Sequence, residues 1–442
     1  MCEEESEEMN MAAKHPLQLM MERRRNGEKV GIPSYCSANK YVLEAALERA
    51  KKRNQPTLIE ATANQVNQFG GYTGMLPIDF KNSVMEMAKK LGVEENLIIL
   101  AGDHLGPLTW ANEPEAEAMA KAEVLVREFV LAGFTKIHLD TSMKLGDDSK
   151  EEMLATEVIA KRGVRLYKVC MEAYEELLKT NPEAMRPVFI IGSEVPIPGG
   201  AQEAEEGISV TKAADFRDTV DTYKRVFKEE GVEDAWQDVI AVVVQPGVEF
   251  GDAQVFYYDS EAAADLTGTL KDYPEIIFEG HSTDYQSKEC LKAMVEDGIA
   301  ILKVGPALTF GLREALFALD HIEEALVPEE KRAHFIDTLE EVMLENPKNW
   351  QKHYHGTEEE LAFARKYSFS DRARYYMGEE KVQNAIDQLL ANLEETGIPM
   401  SILHQYLPKQ YDKIVAGELE NTPVELIKDG VANYMEDYEY AC

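Results

Sequence analysis

Short apolar segments alternate with longer amphipathic segments over most of the chain. The apolar segments are rich in β-branched residues and have the length of strands, which predicts eight strands. They cover residues 30–37, 56–62, 96–104, 135–142, 187–195, 238–247, 275–283 and 300–308. The segments between them show helical spacing, as in residues 41–53, 78–92, 115–133 and 213–231. Several of these helices end at a glycine, which is the preferred residue just beyond a helix C-terminus.

This alternation favours one fold class. Near-continuous apolar strands that alternate with helices indicate a parallel sheet covered by helices. Eight such units are the number that a barrel needs, whereas a doubly wound sheet usually has fewer strands and a GxGxxG motif, which this chain lacks. We therefore predict an α/β fold, a (β/α)8 TIM barrel over residues 13–324. Residues 1–12 are predicted to be a disordered acidic N-terminus, and residues 325–442 a helical C-terminal extension packed on the barrel.

Composition narrows the class of partner. The net charge of −35 argues against nucleic acid and against an anionic membrane surface, because the field of the protein repels both. No segment has the roughly 18 consecutive apolar residues of a membrane span, and the acidic N-terminus does not look like a secretory signal. Five cysteines without a CxxC pair indicate neither a disulfide framework nor a structural zinc site. We expect a cytoplasmic protein.

Almost every predicted strand changes from apolar to reactive residues at its C-terminal end. These residues are Glu60, Asp103, His104, His138, Asp140, Glu194, Gln245, Glu279, His281 and Lys303. In a parallel barrel the C-terminal strand ends form one rim, where barrel enzymes have their active sites. Buried ionisable groups reduce stability unless they are paired or functional. We therefore interpret this rim as an active site.

Two histidines at the rim predict a metal site. His104 and His281 could bind a divalent metal together with Glu194 or Gln245. Such a metal would polarise a carbonyl or enediolate oxygen, and Asp103 could transfer a proton. His138 fits a supporting role and a structural one equally well.

Lys303 admits two interpretations. Its amine could form a Schiff base with a ketose carbonyl, but an ion pair with a carboxylate at a strand end is the favoured alternative. Arg372 and Arg374 could likewise reach an anionic substrate or form ordinary surface ion pairs. Glycine-rich turns at 68–74, 196–202, 280–284 and 304–309 could bind phosphate through backbone N–H groups. The substrate-binding candidates are Glu60, Asn64, Gly199, Gly200, Ser282, Asp284, Lys303, Gly305 and Arg372.

Several motifs together carry a family resemblance. They are IPSYCSAN, IEATANQVNQFGGYTGM, GDHLGP, HLDTSM, GSEVPIPGG, VVVQPGVEFG, GHSTDYQ, LKVGPALTFGLREALFAL and YSFSDRARYY. With these segments the chain resembles the large "Z" subunit family of D-tagatose-1,6-bisphosphate aldolase, once also labelled tagatose-6-phosphate kinase. The barrel part more distantly resembles the metal-dependent class II aldolases.

The resemblance to class II aldolases implies roles for individual residues. It implies proton transfer by Asp103 and metal ligation by His104 and His281. Glu194 and Asp140, which lie at the ends of other predicted strands, are further catalytic candidates. Gln245 stands where the class II pattern has another histidine, so the third ligand would be Gln245, Glu194 or Glu249. The implied cofactor is a divalent metal ion, zinc first, with manganese, cobalt, nickel or magnesium as alternatives.

The resemblance also implies a function. Members of this family include metal-dependent 4-epimerases of ketohexose 6-phosphates and accessory subunits that stabilise a separate aldolase. Because Gln245 departs from the aldolase pattern, we predict C4 epimerisation of fructose 6-phosphate and tagatose 6-phosphate by retro-aldol and aldol steps. The alternative is a non-catalytic subunit of a class II tagatose-1,6-bisphosphate aldolase in galactitol or N-acetylgalactosamine catabolism. No Walker loop or kinase lysine motif supports a kinase. We expect a homo-oligomer that acts on a phosphorylated ketohexose.

Overall fold

The computed structural model describes residues 14–195 and 209–442. Eight parallel strands form a closed barrel, in which each strand pairs with the next one along the chain and the last pairs with the first. They are β1 (Ile32–Cys36), β2 (Thr57–Thr62), β3 (Ile98–Leu105), β4 (Lys136–Leu139), β5 (Val188–Ile191), β6 (Val239–Val244), β7 (Ile277–Gly280) and β8 (Ile299–Val304). The predicted (β/α)8 barrel and its eight strands are confirmed.

Helices surround the barrel. They are α1 (Pro16–Arg25), α2 (Lys40–Arg53), α3 (Pro77–Leu91), α4 (Glu115–Ala132), α5 (Thr156–Thr180), α6 (Ala213–Glu229), α7 (Ser260–Thr267), α8 (Lys288–Asp297) and α9 (Pro306–Leu326). Gly92, Gly133 and Gly298 follow α3, α4 and α8 in the left-handed conformation, as predicted. A short antiparallel hairpin, with two residues in each strand, lies between β6 and β7. It pairs Glu249–Phe250 with Val255–Phe256 and was not predicted.

The inside of the barrel is layered. Alternate residues of each strand face inward, and the inward residues near the N-terminal strand ends are apolar. They form one buried cluster that includes Leu58, Ile99, Ile190, Ile277 and Ile301, and α1 adds Leu17, Met20 and Met21 to it. Two residues further along β2, β7 and β8, the inward positions are polar and buried: Glu60, Glu279 and Lys303. An apolar base therefore supports a polar upper layer at the C-terminal ends of the strands.

The C-terminal region is helical, as predicted, and its last helix contacts both α9 and the loop after β7. Its helices are α10 (Phe335–Glu345), α11 (Glu358–Tyr367), α12 (Glu380–Thr396), α13 (Met400–Tyr406), α14 (Pro408–Val415) and α15 (Pro423–Ala441). Helix α15 crosses α9 closely, because a Cβ on Gly311 would lie 2.8 Å from the carbonyl oxygen of Gly430. Near the end of α15, the Tyr438 hydroxyl donates a hydrogen bond to the carbonyl oxygen of Thr283, after β7, at 2.8 Å.

Some predictions fall outside the described residues. They are the predicted disorder of residues 1–12 and the substrate-binding candidates Gly199 and Gly200. Among the helices of the described ranges, none is both long and apolar enough to cross a membrane.

Candidate active site

The end of β3 breaks the strand pattern. Neighbouring residues of a strand point to opposite faces, yet Asp103 and His104 both contact the inside of the barrel. His104 has a φ of 47°, in the left-handed region, and the register between β3 and β4 shifts between Gly102 and Leu105. A residue other than glycine in this region is strained, and such strain is concentrated at functional sites. The left-handed residue lets two consecutive polar side chains serve one site.

Three buried imidazoles meet above the apolar base. The ring centroids of His104, His138 and His281 lie 5.1, 5.0 and 5.2 Å apart in the pairs His104–His138, His104–His281 and His138–His281. They come from the ends of β3, β4 and β7, strands that the chain separates by up to 177 residues. Neutral imidazole is a common metal ligand, and three imidazoles with an open position form a frequent catalytic zinc site.

Each imidazole has one nitrogen held by a carboxylate. Nδ1 of His104 lies 2.7 Å from Oδ2 of Asp140, and Nδ1 of His138 lies 2.8 Å from Oδ1 of Asp103. Nε2 of His281 lies 3.0 Å from Oε1 of Glu279. Carboxylates in this position fix the orientation and tautomer of metal-binding histidines.

The imidazole nitrogens that are not held by these carboxylates indicate whether the site could bind a metal. Nε2 of His138 is buried and finds no hydrogen-bond partner within the described ranges, which is costly for a polar atom unless something binds it. Burial and the nearby Lys303 ammonium lower the pKa of His281 well below its usual value, so its imidazole is neutral, as a metal ligand must be. Ligand atoms of Asp103, His138, Glu279 and His281 all lie within 4.8 Å of one another. These four residues fit a divalent cation, and the His104 ring lies beside them, with its centroid 5.1 Å from that of His138 and 5.0 Å from that of His281.

A buried network of charges lies directly beneath the histidines. The Lys136 ammonium contacts the Glu60 carboxylate and lies 2.7 Å from Oε2 of Glu279, and all three side chains are fully buried. The Lys303 ammonium contacts Asp103 and lies 3.4 Å from Oε2 of Glu60. Three carboxylates thus face two ammonium groups, which leaves a negative charge beneath the imidazoles. That charge favours a cation at this position.

The same contacts decide between the two interpretations of Lys303. Burial acts to lower the pKa of Lys303, but the carboxylates of Asp103 and Glu60 outweigh it and raise the pKa above its usual value. The side chain is therefore a paired ammonium and not the free amine that a Schiff base requires. In turn, burial acts to raise the pKa of Asp103, but His104, Lys303 and His138 hold it well below its usual value. Asp103 is an ionised carboxylate next to the imidazoles.

A cavity of about 560 Å³ opens above this group. Its floor includes Asp103, His104, His281 and Lys303. Its walls come from the loops after β1, β2, β7 and β8, and the C-terminal extension supplies Arg374, Tyr375, Met377, Gly378, Glu379 and Gln383. The ring of Tyr375 packs against Tyr72, after β2, with centroids 5.0 Å apart. The extension therefore helps to enclose the mouth of the barrel.

Comparison with known proteins identifies the family. The family model described as "D-tagatose-1,6-bisphosphate aldolase subunit GatZ/KbaZ-like" matches residues 17–442. The chain belongs to the GatZ/KbaZ-like family. The resemblance seen in the sequence motifs is thereby confirmed, and the family relates the chain to aldolases of sugar phosphates.

Solved structures include a protein that is similar to this chain over nearly all of its length. A probable tagatose 6 phosphate kinase from Sinorhizobium meliloti 1021 is 42% identical, with a TM-score of 0.85 over 93% of this chain and 100% of that chain. The YdjI aldolase from Escherichia coli K12 is 14% identical, with a TM-score of 0.41 over 83% of this chain and 95% of that chain. The first similarity covers the barrel and extension of this GatZ/KbaZ-like protein, and the second is too weak to support an argument.

The structure brings several of the predicted site residues of this GatZ/KbaZ-like chain to one place. The cavity is lined by Asn64, Asp103, His104, His281, Ser282, Asp284, Lys303 and Gly305. Glu60 lies in the buried charge network, and Asp140 lies behind His104, away from the cavity. Ser282, like His104, has a left-handed φ, of 53°.

Three predicted residues lie elsewhere. Oε1 of Gln245 accepts hydrogen bonds from the backbone N–H groups of Gly247 (2.9 Å) and Val248 (3.1 Å), so this amide stabilises its own loop. Glu194 is exposed and accepts a hydrogen bond from the Thr211 hydroxyl at 2.8 Å. Arg372 donates to the carbonyl oxygen of Asn349 at 3.0 Å and does not line the cavity. Gln245 and Glu194 do not join the imidazoles.

The structure gives a definite place to two residues whose roles the sequence left open, His138 and Arg374, and to one that it did not single out, Lys136. His138 joins the histidine cluster, Lys136 lies at the centre of the charge network, and Arg374 replaces Arg372 at the cavity. The signal for His138 was available, because Lys136 and His138 are two residues apart on β4 and hence share the inward face. No such signal separated Arg374 from Arg372, since both lie in the same short 3-10 helix, Arg372–Tyr375, in the extension.

Proposed function

We propose that this protein is a divalent-metal-dependent 4-epimerase that interconverts fructose 6-phosphate and tagatose 6-phosphate. The observation that carries the proposal is the group of three imidazoles beside the ionised Asp103 carboxylate, at the floor of a cavity of about 560 Å³. Family membership supports chemistry related to that of aldolases. The departure at Gln245 supports epimerisation over net aldol cleavage.

His104, His138 and His281 are the metal ligands that we propose. His138 takes the third position, for which Gln245, Glu194 and Glu249 were candidates. Its Nδ1 is engaged by Asp103, and its buried Nε2 is the atom without a partner. Bound to this group, a divalent cation would supply Lewis-acid polarisation of the ketose oxygens at C2 and C3.

The reaction inverts C4 through cleavage and re-formation of one bond. Asp103 takes the proton of the C4 hydroxyl, the C3–C4 bond breaks, and its electron pair moves to the C2 carbonyl, which gives an enediolate and an aldehyde. The aldehyde rotates and presents its other face. The C3–C4 bond then re-forms, the electron pair returns from the enediolate, and Asp103 returns the proton to the new C4 hydroxyl. Atoms and charge balance over the cycle.

The surrounding residues serve this cycle in two ways. Lys303 remains paired with Asp103, so it keeps the carboxylate ionised and directed toward the cavity floor. The wall formed by Tyr72 and Tyr375 narrows the mouth of the barrel, which helps to retain both fragments between cleavage and re-addition. Retention distinguishes an epimerase from an aldolase, which releases them.

Isotope labelling tests the proposal. Metal-loaded protein should convert fructose 6-phosphate to tagatose 6-phosphate in D2O without deuterium at C4, because no C4–H bond breaks, and a chelator should abolish conversion. Asp103→Asn should reduce kcat by about 100-fold or more. The control is Asp272→Asn, because Asp272 forms an exposed ion pair with Arg217. This variant should keep the kcat of the wild-type protein. Conversion that continues in the presence of the chelator, or deuterium at C4, would refute this mechanism. Phosphorylation of the sugar that depends on ATP would show that the protein is not an epimerase.

The word "subunit" in the family description favours a second candidate. In that case the chain stabilises a separate tagatose-1,6-bisphosphate aldolase and does no chemistry itself. Mixing it with such an aldolase should then raise the thermal stability of the aldolase, and Asp103→Asn should do so equally well. If only the wild-type chain turns over a ketohexose 6-phosphate alone, the epimerase is supported.

A further inference from the structure

The N-terminus of α9 is already filled by a side chain of the protein. In (β/α)8 barrels, phosphate is often bound by the loops after the seventh and eighth strands together with a helix N-terminus. Here Oδ2 of Asp284 accepts hydrogen bonds from the backbone N–H groups of Gly305 (3.0 Å) and Ala307 (2.9 Å). Pro306, between them, has no N–H group. The donors that a phosphate would use are therefore engaged.

The charge of Asp284 also opposes a phosphate at this position. The side chain is only 2% exposed, and burial raises its pKa to about 6. Asp284 is therefore an anion at neutral pH, and it would repel a phosphate dianion placed beside it. An anionic end of the substrate needs a different partner in the cavity.

The side chains that line the cavity include three cations: Lys40, Lys303 and Arg374. Lys303 is committed to Asp103 and Glu60. Lys40 is exposed at the start of α2, with its ammonium 4.7 Å from the centroid of the Tyr41 ring. Among these three cations, Arg374 is the one that is half-buried and forms no ion pair with a carboxylate within the described ranges, although Asp371 and Asp284 act on it from further away.

The surroundings of Arg374 hold its guanidinium in place without neutralising it. Nη1 donates to the carbonyl oxygens of Ser370 and Asp371 (3.1 Å to the latter), and Nη2 donates to the Tyr375 hydroxyl at 3.0 Å. The guanidinium also lies 4.4 Å from the centroid of the Tyr375 ring. All these acceptors are neutral, and a guanidinium has five N–H donors, so donors remain for a ligand. The carboxylates of Asp371 and Asp284 act on this charge without forming an ion pair with it in the described ranges.

Two other buried arginines contrast with this one, while Arg372, which also lacks an ion pair within the described ranges, donates to the carbonyl oxygen of Asn349 and does not line the cavity. Arg365 pairs with Glu340 at 2.6 Å, and Arg313 of α9 pairs with Asp371 at 2.6 Å. A chain with a net charge of −35 offers many carboxylates, and a partly buried guanidinium without one carries a desolvation cost that a bound anion would offset.

We propose that Arg374 binds the phosphate group of the substrate and thereby selects phosphorylated ketohexoses over unphosphorylated ones. This inference rests on the proposed function for the identity of the substrate. The cavity thus holds the reacting carbons at the histidine end and the phosphate at the wall formed by the C-terminal extension. The extension is then part of the binding site as well as a packing layer.

The test compares Arg374→Gln and Arg374→Lys with the wild-type protein. Arg374→Gln should raise the Kd for inorganic phosphate and the KM for fructose 6-phosphate by about 10- to 100-fold, the usual effect of losing a charge-assisted contact. The KM for fructose should change by less than about threefold, because that sugar lacks the phosphate. Arg374→Lys, which keeps the charge but loses the planar donor pair, should give an intermediate increase.

A surface charge variant is the matched control. Lys381→Gln removes one positive charge from α12, where Lys381 forms an exposed ion pair with Glu341, and should leave both constants unchanged. Equal phosphate binding by wild type and Arg374→Gln, or an equal loss in Lys381→Gln, would overturn the inference. If Arg374→Gln does not fold, an unchanged Kd in Arg374→Lys would overturn it.

The two proposals fail in different ways. Phosphate titration needs no turnover, so Arg374-dependent phosphate binding without conversion of fructose 6-phosphate would refute the epimerase and support the phosphate site. Chelator-sensitive conversion with an unchanged KM in Arg374→Gln would refute the phosphate site alone. Tighter phosphate binding in Asp284→Asn that persists in the Arg374→Gln background would place the phosphate at α9 and would also refute the inference.

Discussion

Nδ1 of His104 and Oδ2 of Asp140 lie 2.7 Å apart, across the gap between the ends of β3 and β4. Asp140 also accepts hydrogen bonds from the backbone N–H (3.1 Å) and hydroxyl (2.7 Å) of Ser142. Burial acts to raise the pKa of Asp140, but the hydrogen bond with His104 outweighs it, so the pKa is lowered. An ionised carboxylate therefore orients the His104 ring from behind, which makes Asp140 a positioning residue.

Replacing Asp140 should weaken metal binding without unfolding the barrel. Asp140→Asn keeps the size of the side chain but removes the charge that fixes the His104 tautomer, so metal affinity should fall about 10- to 100-fold. Competition with a chromophoric chelator measures this affinity, and circular dichroism checks the fold. Ser142→Ala should cause a much smaller loss, because it removes one hydrogen bond to Asp140 and leaves the carboxylate and its contact with His104 in place. Unchanged affinity in Asp140→Asn would show that His104 is not a ligand.

The third metal ligand can be assigned by comparing His138→Ala with Gln245→Ala. His138→Ala should lose stoichiometric metal, because it removes an imidazole nitrogen that is buried and finds no hydrogen-bond partner in the described part of the chain. Gln245→Ala should retain the metal and lose about 1 kcal/mol of unfolding free energy, since it removes only hydrogen bonds within its loop. Elemental analysis of the dialysed proteins measures metal content. The opposite pattern would restore Gln245 as the ligand.

Lys136 should be essential for stability. Lys136→Met leaves the buried Glu279 carboxylate without a cation, while Glu60 keeps Lys303. Removing one partner of a buried ion pair typically costs about 3–5 kcal/mol. Adding Glu279→Gln to Lys136→Met should recover part of the loss, because it removes the unpaired charge. Urea unfolding measures both variants, and a Lys136→Met protein as stable as the wild type would contradict the description of this network.

Asp320 should make stability depend on pH. Burial raises its pKa to about 6, and its Oδ1 accepts a hydrogen bond from the backbone N–H of Phe335 at the start of α10, at 2.8 Å. Since the pKa is higher in the folded state than in the unfolded state, the folded state binds the proton more tightly, and raising the pH from about 4 to above 6 removes stability.

Asp320→Asn isolates this effect. The variant keeps an acceptor for Phe335 but cannot ionise, so it should match the wild type near pH 4 and become more stable by up to about 3 kcal/mol above pH 6. Thermal unfolding of both proteins across this range measures the difference. A constant difference over the range would show that Asp320 does not titrate with folding.

The overall fold could be predicted from the chain because its signals are local and repeated. A strand such as β6, with six buried apolar residues in a row, is recognisable without knowledge of its neighbours. Glycines such as Gly92 and Gly298 mark helix ends through their own φ angles. The hairpin at Glu249–Phe250 was missed because each of its strands has only two residues, too few for a pattern.

The site could be predicted only as far as its location. Reactive residues at strand ends meet at one rim, which follows from the parallel barrel alone. Which of them touch each other depends on backbone detail, as for the left-handed His104, whose φ of 47° turns it toward the barrel interior. The Gln245 amide is hydrogen-bonded within its own loop, and His138 lies on an inward position of β4 beside the other two imidazoles; neither contact could be read from the sequence.

The amino-acid sequence by itself determined the barrel, its order of strands and helices, and the rim where chemistry is concentrated, because hydrophobic periodicity acts over a few neighbouring residues. Only the tertiary structure decided the partners: His104 with His281, Lys136 with Glu279, and Arg374 with the cavity. These pairs are far apart along the chain, and their contacts arise from barrel closure and from the packing of the extension. Burial then makes each pairing energetically decisive, since a charge or polar atom removed from water needs a partner that only the folded chain can bring to it.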